Sequence, residues 1–517
     1  MTMQLSRRSF LAGTTLAGLA SAADMSAEAQ TPPRSNIAVR VQNEFAAIDP
    51  AFRTFPADAD VGRVVFQQLM KYKANSTEYE NDAAAEVKQV SPTLIEFRLK
   101  PGQMFTEDFG EMTAEDVKFS FERFLGQGTG GRQTVYKADW MNLERVETTG
   151  QYTGRIVLSR PNAALFALAI ADHSGGIVSK RAAEQRGEGF GSNPVGSGPY
   201  QLVSVERQKG AVLRRNPGFT GAKPRFDEIA VRYIQDPKTT ELALRSGEID
   251  FAVLPPAVAE PLRSVQGLAI DQHPGLAYVW IGMNVEKAPL NDVRVRQAIR
   301  LALDADQMLL AGYNGKVQRL NSLIMAPILG VWKDAPVYKR NVAEARRLLQ
   351  EAGQGGGFRT RITILNQPVF QSMALVARAL LQEVGITLDV EPLDGGSFWS
   401  SGKGDGGKNL DLSMLRFNGK LDPNFLMQWF TSDQIGVWNW QRWADPSYDK
   451  LAGDALAEAD PAKRAEIVIK AQQEMDKSAA FYWLTNEVAF VARRSWLKPG
   501  LMPGAINWQY EHFDALA

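Results

Sequence analysis

Thr93-Leu94-Ile95-Glu96-Phe97-Arg98-Leu99-Lys100-Pro101-Gly102, followed by Thr113-Ala114-Glu115-Asp116-Val117, decides the fold class. Ile95, Phe97 and Leu99 alternate with Glu96 and Arg98, the period-2 pattern of a half-buried strand. Lys100-Pro101-Gly102 turns the chain. Thr113 and Asp116 stand at capping-box spacing, and Val117, Phe121 and Phe124 follow at helical spacing, so a helix is predicted over Ala114–Leu125. A strand that feeds a helix through a tight turn is a mixed α/β unit, and the pattern recurs along the chain. Gly196-Ser197-Gly198-Pro199 turns into a strand at Tyr200–Val205, and Ile229, Val231 and Tyr233 alternate again. Thr239–Ser246 reads as a helix stopped by Gly247. Asn291 is placed to cap a helix beginning at Asp292, with the apolar stripe Val295, Ala298, Ile299 and Ala302. Helices near Val342–Ala352 and Gln371–Val384 each end at a glycine, Gly353 and Gly385. Gly395–Gly407, rich in Gly, Ser and Lys, reads as a mobile loop. No fixed-period repeat is visible.

The N-terminus reads as an export signal. Ser6-Arg7-Arg8-Ser9-Phe10-Leu11 carries adjacent arginines and leads into the uncharged run Leu11–Ala23. That pairing points to the twin-arginine route, and Ala27-Glu28-Ala29 fits a cleavage site, so residues 1–29 are expected to be a removed signal peptide. The apolar run is too short for a membrane span, which needs about 20 residues. The chain has no cysteine in 517 residues. This excludes disulfides, thiolate metal sites and a lipid-modified cysteine, so a freely diffusing periplasmic protein is expected. Lys plus Arg and Asp plus Glu both number 58, for a formal net charge of zero, and no global field draws nucleic acid. Two or three lobes are expected from the length.

The motifs of catalysis are absent. The histidines His173, His273 and His512 lie far apart with no metal-ligand spacing, and read as surface or hydrogen-bonded residues. There is no G-x-S-x-G elbow and no phosphate loop. Gly126–Gly131 matches G-x-G-x-x-G but follows a helix rather than a strand, which is the wrong setting for a dinucleotide. No metal and no cofactor is expected. Five of the 11 tryptophans cluster late, at Trp399, Trp429, Trp438, Trp440 and Trp443. Aromatic walls with a few polar anchors are how small-molecule pockets are built, although core packing explains most tryptophans. If Trp438-Asn439-Trp440 is extended, its two rings share a side.

Several segments together resemble the extracellular solute-binding proteins of family 5, the dipeptide, oligopeptide, nickel and opine class. They are Ile48-Asp49-Pro50, Leu99–Phe105 with Thr113–Val117, Gly196–Tyr200, Arg215-Asn216-Pro217, Leu242–Asp250, Pro289–Ile299, Asp422-Pro423 with Phe425-Leu426, and Pro446–Leu451. They occur in family order from about residue 40 to 490. The resemblance implies an α/β, two-lobed periplasmic binding protein fold (class II-like, cluster C) with an extra subdomain in lobe I. It implies no catalysis, lobe closure over a small-molecule ligand, and an ABC permease in the inner membrane as partner, with the protein a monomer. By analogy, lobe I takes 36–276 and 485–517, with the inserted subdomain at about 61–190. Lobe II takes 277–484, with crossovers near Tyr278–Asn284 and Thr485–Phe490.

Peptide-binding members of the family hold the ligand ammonium on acids. The matching positions here are Gly419, three residues before the Asp422-Pro423 step, Gly282, and Thr54 beside Arg53. With those carboxylates missing and arginines nearby, the resemblance points to an anionic, polar solute, such as an opine-like or other organic acid. A di- or oligopeptide is the alternative, and a secreted hydrolase on a two-lobed frame the alternative of another class. The candidate ligand-binding residues are Arg53, Thr54, Phe55, Tyr136, Trp280, Trp399, Arg416, Phe417, Asn418, Trp438, Asn439 and Trp440.

Overall fold

The computed structural model describes residues 34–53, 55–502 and 507–516. The expected signal segment 1–29 and Thr54 lie outside them. Eleven strands build one large sheet: β1 (Asn36–Val41), β2 (Tyr200–Glu206), β3 (Gly210–Arg215), β4 (Glu228–Tyr233), β5 (Phe251–Leu254), β6 (Leu268–Met283), β7 (Gln318–Arg319), β8 (Phe358–Leu365), β9 (Ile386–Leu393), β10 (Leu412–Phe417) and β11 (Phe481–Arg494). Their order is β9-β8-β10-β6-β11-β5-β1-β4-β3-β2, with β7 added to β11. The pairs β1–β4, β1–β5, β8–β9 and β8–β10 are parallel, and the remaining pairs of the sheet are antiparallel.

The two long strands β6 and β11 pair antiparallel and serve both halves of the molecule. Leu268 and Ile270 of β6 and Phe490 and Ala492 of β11 pack into a core built from residues of the first half and the C-terminal segment. Beyond them, Val279–Met283 and Tyr482–Leu484 pack into cores built from residues 276–484. The strand register breaks between Pro274 and Tyr278, and this irregularity marks the seam. A separate antiparallel sheet holds Ala84–Ser91, Leu94–Leu99, Thr153–Leu158 and Leu143–Thr148, in that order.

The opening strand–turn–helix reading is realised. Leu94–Leu99 is a strand, and Thr113 and Asp116 form the capping box of the helix Ala114–Glu122, which tightens to a 3-10 turn at Arg123–Leu125. Two expectations need correction. Asp292, not Asn291, caps the helix Val293–Ala302, its carboxylate accepting from the Arg294 amide at 2.8 Å. Gly395–Gly407 is not a loop. Asp394 caps a helix at Gly395–Ser401, a 3-10 segment follows at Gly404–Asn409, and buried Phe398 fastens the stretch to an aromatic core.

Candidate functional site

A cavity of about 530 Å³ opens at the seam. The first half contributes Arg53, Arg63, Tyr136, Asp172 and His173; the register break contributes Gly275–Ala277; the second half contributes Arg416 and Asn418–Leu421, with Glu487 of β11. A neighbouring cavity of about 600 Å³ shares Tyr136, Lys420 and Phe425, and is walled by apolar groups such as Met141, Leu168, Trp429 and Leu456. A further cavity of about 730 Å³, near Lys71, Asp82 and Glu511, touches first-half and C-terminal residues only and lies off the seam.

The family-like motifs deliver the cleft residues. In Ile48-Asp49-Pro50, the Asp49 carboxylate accepts from the Ala51 amide at 2.9 Å and from buried Arg123 at 2.6 Å. The Asp49 carbonyl accepts from the Arg53 amide at 3.0 Å, so this turn carries Arg53 to the cleft. The Val135 amide donates to the Ala51 carbonyl at 3.1 Å, which fixes Tyr136 against the same turn. On the opposite wall, Asp422 pairs with both terminal nitrogens of Arg464 at 2.8 Å and caps the helix Pro423–Met427. The segment Asn418–Leu421 is thereby held between β10 and that cap.

The cleft is a network of charges. Lys420 Nζ lies 2.7 Å from Asp139 and 3.1 Å from Asp172, and Asp172 also pairs with Arg63. Arg416 Nε donates to Glu487 at 2.7 Å and its Nη1 to Asn418 Oδ1 at 2.9 Å. Arg53 differs. Its side chain lies over the Tyr136 ring at 4.0 Å, and Nη2 donates to His173 Nε2, while His173 Nδ1 faces the Asp172 carboxylate at 3.1 Å. Its buried Nε has no partner, and no carboxylate among the described residues pairs with it, although the residue is only 8% exposed. Burial lowers the Arg53 pKa from its ordinary value, with Tyr136 and Asp172 opposing. Burial also holds His173 well below the ordinary histidine value against the pull of Asp172, so its ring is neutral and can accept from Arg53. Burial would raise Asp172, but the Lys420 and Arg63 cations, with a hydrogen bond from the neutral His173 ring, outweigh it and keep the carboxyl well below its usual range. Asp139, Asp172 and His173 stand close enough to hold a metal ion, but Lys420 already sits between the two acids and Arg53 against the histidine.

Of the residues expected from sequence, Arg53, Tyr136, Arg416 and Asn418 come together here. Phe55 is half-buried at the N-cap of the helix Pro56–Val65 and lines neither seam cavity. Trp280, Trp399, Phe417, Trp438 and Trp440 line neither seam cavity. Trp280, Phe417 and Trp440 are buried in an aromatic core, with Trp399 and Trp438 packed on it. Trp438-Asn439-Trp440 is turned rather than extended, and buried Asn439 donates to the carbonyls of Phe430 at 3.0 Å and Trp443 at 2.7 Å. Its amide is consumed in holding that turn. Arg63, Asp172, His173, Lys420 and Glu487 were not singled out from sequence as ligand-binding. For Lys420, its place between Gly419 and the Asp422-Pro423 step was the available signal.

Bacterial extracellular solute-binding proteins, family 5 Middle, match residues 78–437. The chain is 28% identical over 494 residues to the probable D,D-dipeptide-binding periplasmic protein DdpA of Escherichia coli (strain K12), covering 92% of this chain and 93% of that protein. The fold matches HbpA2 from Haemophilus parasuis with a TM-score of 0.85 at 21% identity, covering 93% of this chain and all of that one, 100%. It matches the binding protein MoaA in complex with mannopinic acid, from A.tumefacien R10, with a TM-score of 0.73 at 24% identity, covering 94% and 100%. This chain belongs to the bacterial extracellular solute-binding proteins of family 5.

Proposed function

We propose that this protein, the substrate-binding component of an ABC importer, captures a small polar solute through an acid group held at Arg53. The observation that carries the reading is the buried Arg53 guanidinium without a carboxylate partner. Four cations of the cleft, Arg53, Arg63, Arg416 and Lys420, face three acids, Asp139, Asp172 and Glu487, around a neutral His173. One positive charge is left over, and Asp60 offsets it only in part at neutral pH because burial lifts its pKa to about 7. A buried cation is costly unless an anion joins it, and a ligand carboxylate or phosphate supplies that partner bidentately. The MoaA complex with mannopinic acid gives an acidic solute on the same fold.

Lobe I is taken as 36–276 with 485–517 and lobe II as 277–484, in keeping with how the apolar cores divide. Closure of the two over the solute, export through residues 1–29, a monomeric state in the periplasm and the lack of catalysis complete the reading. A peptide is the second reading, favoured by the apolar neighbouring cavity and by the D,D-dipeptide in the relative's name.

The solute retained by the purified protein, titrated calorimetrically into stripped protein, tests the proposal. Arg53→Ala should weaken binding by about 100-fold, close to 3 kcal/mol for a charge-assisted pair. Unchanged affinity contradicts the role given to Arg53.

A further inference from the structure

The cleft contains an ammonium site, and the protein fills it itself. Lys420 Nζ lies between the carboxylates of Asp139 and Asp172, at 2.7 and 3.1 Å. It also lies 5.6 Å from the centre of the Tyr136 ring and 5.3 Å from that of Phe425. Two acids and two aromatic faces are how a protein recognises an alkylammonium ion. Lys420 lines both seam cavities, so the site stands where they join. The acids come from the first half of the chain and the lysine from the second, so the contact bridges the seam. We infer that Lys420 is a specificity-determining residue: its ammonium occupies the place of a ligand's ammonium, so the cleft rejects solutes with a free amine there and accepts acids without one.

Three observations support this. The three side chains are strongly buried, with side-chain exposures of 17% for Lys420, 7% for Asp139 and 8% for Asp172, so the pair of acids is not a solvated surface cluster. Burial would lower the lysine pKa, but Asp172 and Asp139 override it and hold the group charged. Lastly, a ligand-binding acid cannot be added one residue earlier. A Cβ at Gly419 would lie 2.5 Å from the Leu276 carbonyl oxygen, so no side chain fits there without moving the backbone. A second cation beside Lys420 would face like-charge repulsion in a poorly solvated site.

The inference rests on the acid-binding reading but is tested apart from it. Two probes are compared by calorimetry: alanyl-alanine amide, with an ammonium and no carboxylate, and N-acetyl-alanyl-alanine, with a carboxylate and no ammonium. Wild-type protein should bind the amide at least about tenfold more weakly than Lys420→Ala does. Propylammonium, which has the shape of the deleted side chain, should raise the melting temperature of Lys420→Ala and leave wild type unchanged. Lys420→Met, which keeps the volume without the charge, guards against a packing defect and should gain amide affinity in the same sense. Equal amide affinity in wild type and both variants overturns the inference, as does wild-type protein preferring the amide to the acetylated acid. The Arg53 reading fails separately, if Arg53→Ala binds the acetylated acid as wild type does while Lys420→Ala still gains the amide.

Discussion

Asp60 lies on the helix Pro56–Val65 behind the cleft, fully enclosed, with one carboxylate oxygen unpartnered. Burial raises its pKa from 3.8 to about 7, with Arg63 and a backbone hydrogen bond from Trp508 pulling the other way. The folded form therefore holds a proton that the unfolded chain releases above about pH 4. The stability tied to that proton is full in acid and is lost as the pH rises through about 7. Asp60→Asn should be more stable than wild type by roughly 1–3 kcal/mol at pH 8 and close to equal at pH 4, read by urea unfolding at the two pH values. The same difference at both pH values would show that Asp60 stays ionised. At this scale the sequence was partly legible. Arg53 stood out through its neighbour Thr54 and the Asp49-Pro50 step. His173 did not, because it has no motif spacing and becomes a cleft residue only when the chain folds it against Arg53.

Among the elements, Gly196-Ser197-Gly198-Pro199 shows why a motif reads clearly while its cause does not. A turn was expected, and the strand Tyr200–Glu206 does follow. The glycines have a further reason: a Cβ at Gly196 would collide with the Val65 carbonyl, and one at Gly198 with that of Val64. Both carbonyls belong to the last turn of the helix Pro56–Val65, the element that carries Arg63 into the cleft. Gly196→Ala should destabilise the protein by at least about 2 kcal/mol in chemical denaturation, because backbone rather than a pliable side chain must move. Loss below about 0.5 kcal/mol would mean that the two segments part easily. Local patterns of period 2 or 3.6, and caps such as Thr113 with Asp116, are written within a few residues and were readable for that reason. The aromatic cluster was ambiguous in sequence because a run of tryptophans looks the same whether its rings face a ligand or one another. Trp280 stacks on Tyr278 at 5.3 Å and meets Phe417 edge-on at 4.9 Å. Gly395–Gly407 was misread because its glycine content hid Phe398 and Trp399, which hold the segment to that core.

Across the whole molecule, paired strands and a cluster of charges are among the links between the halves. β6 and β11 pass through the seam, and Lys420 bridges it to Asp139 and Asp172. No helix among the described residues is long and apolar enough to cross a membrane. The family frame was visible in sequence because its motifs are the turns and caps that fix each half. The chemistry of the cleft was less visible because its charges come from segments separated by up to several hundred residues, Arg53 to Glu487. The central claim is that an acid group on the solute completes this charge network at Arg53. The most direct test takes the solute released from the purified protein, converts its acid groups to methyl esters, and titrates both forms into stripped wild-type protein. The account predicts that the free acid binds and the ester binds at least about 100-fold more weakly. Equal binding of acid and ester, or a solute without any acid group, would contradict it.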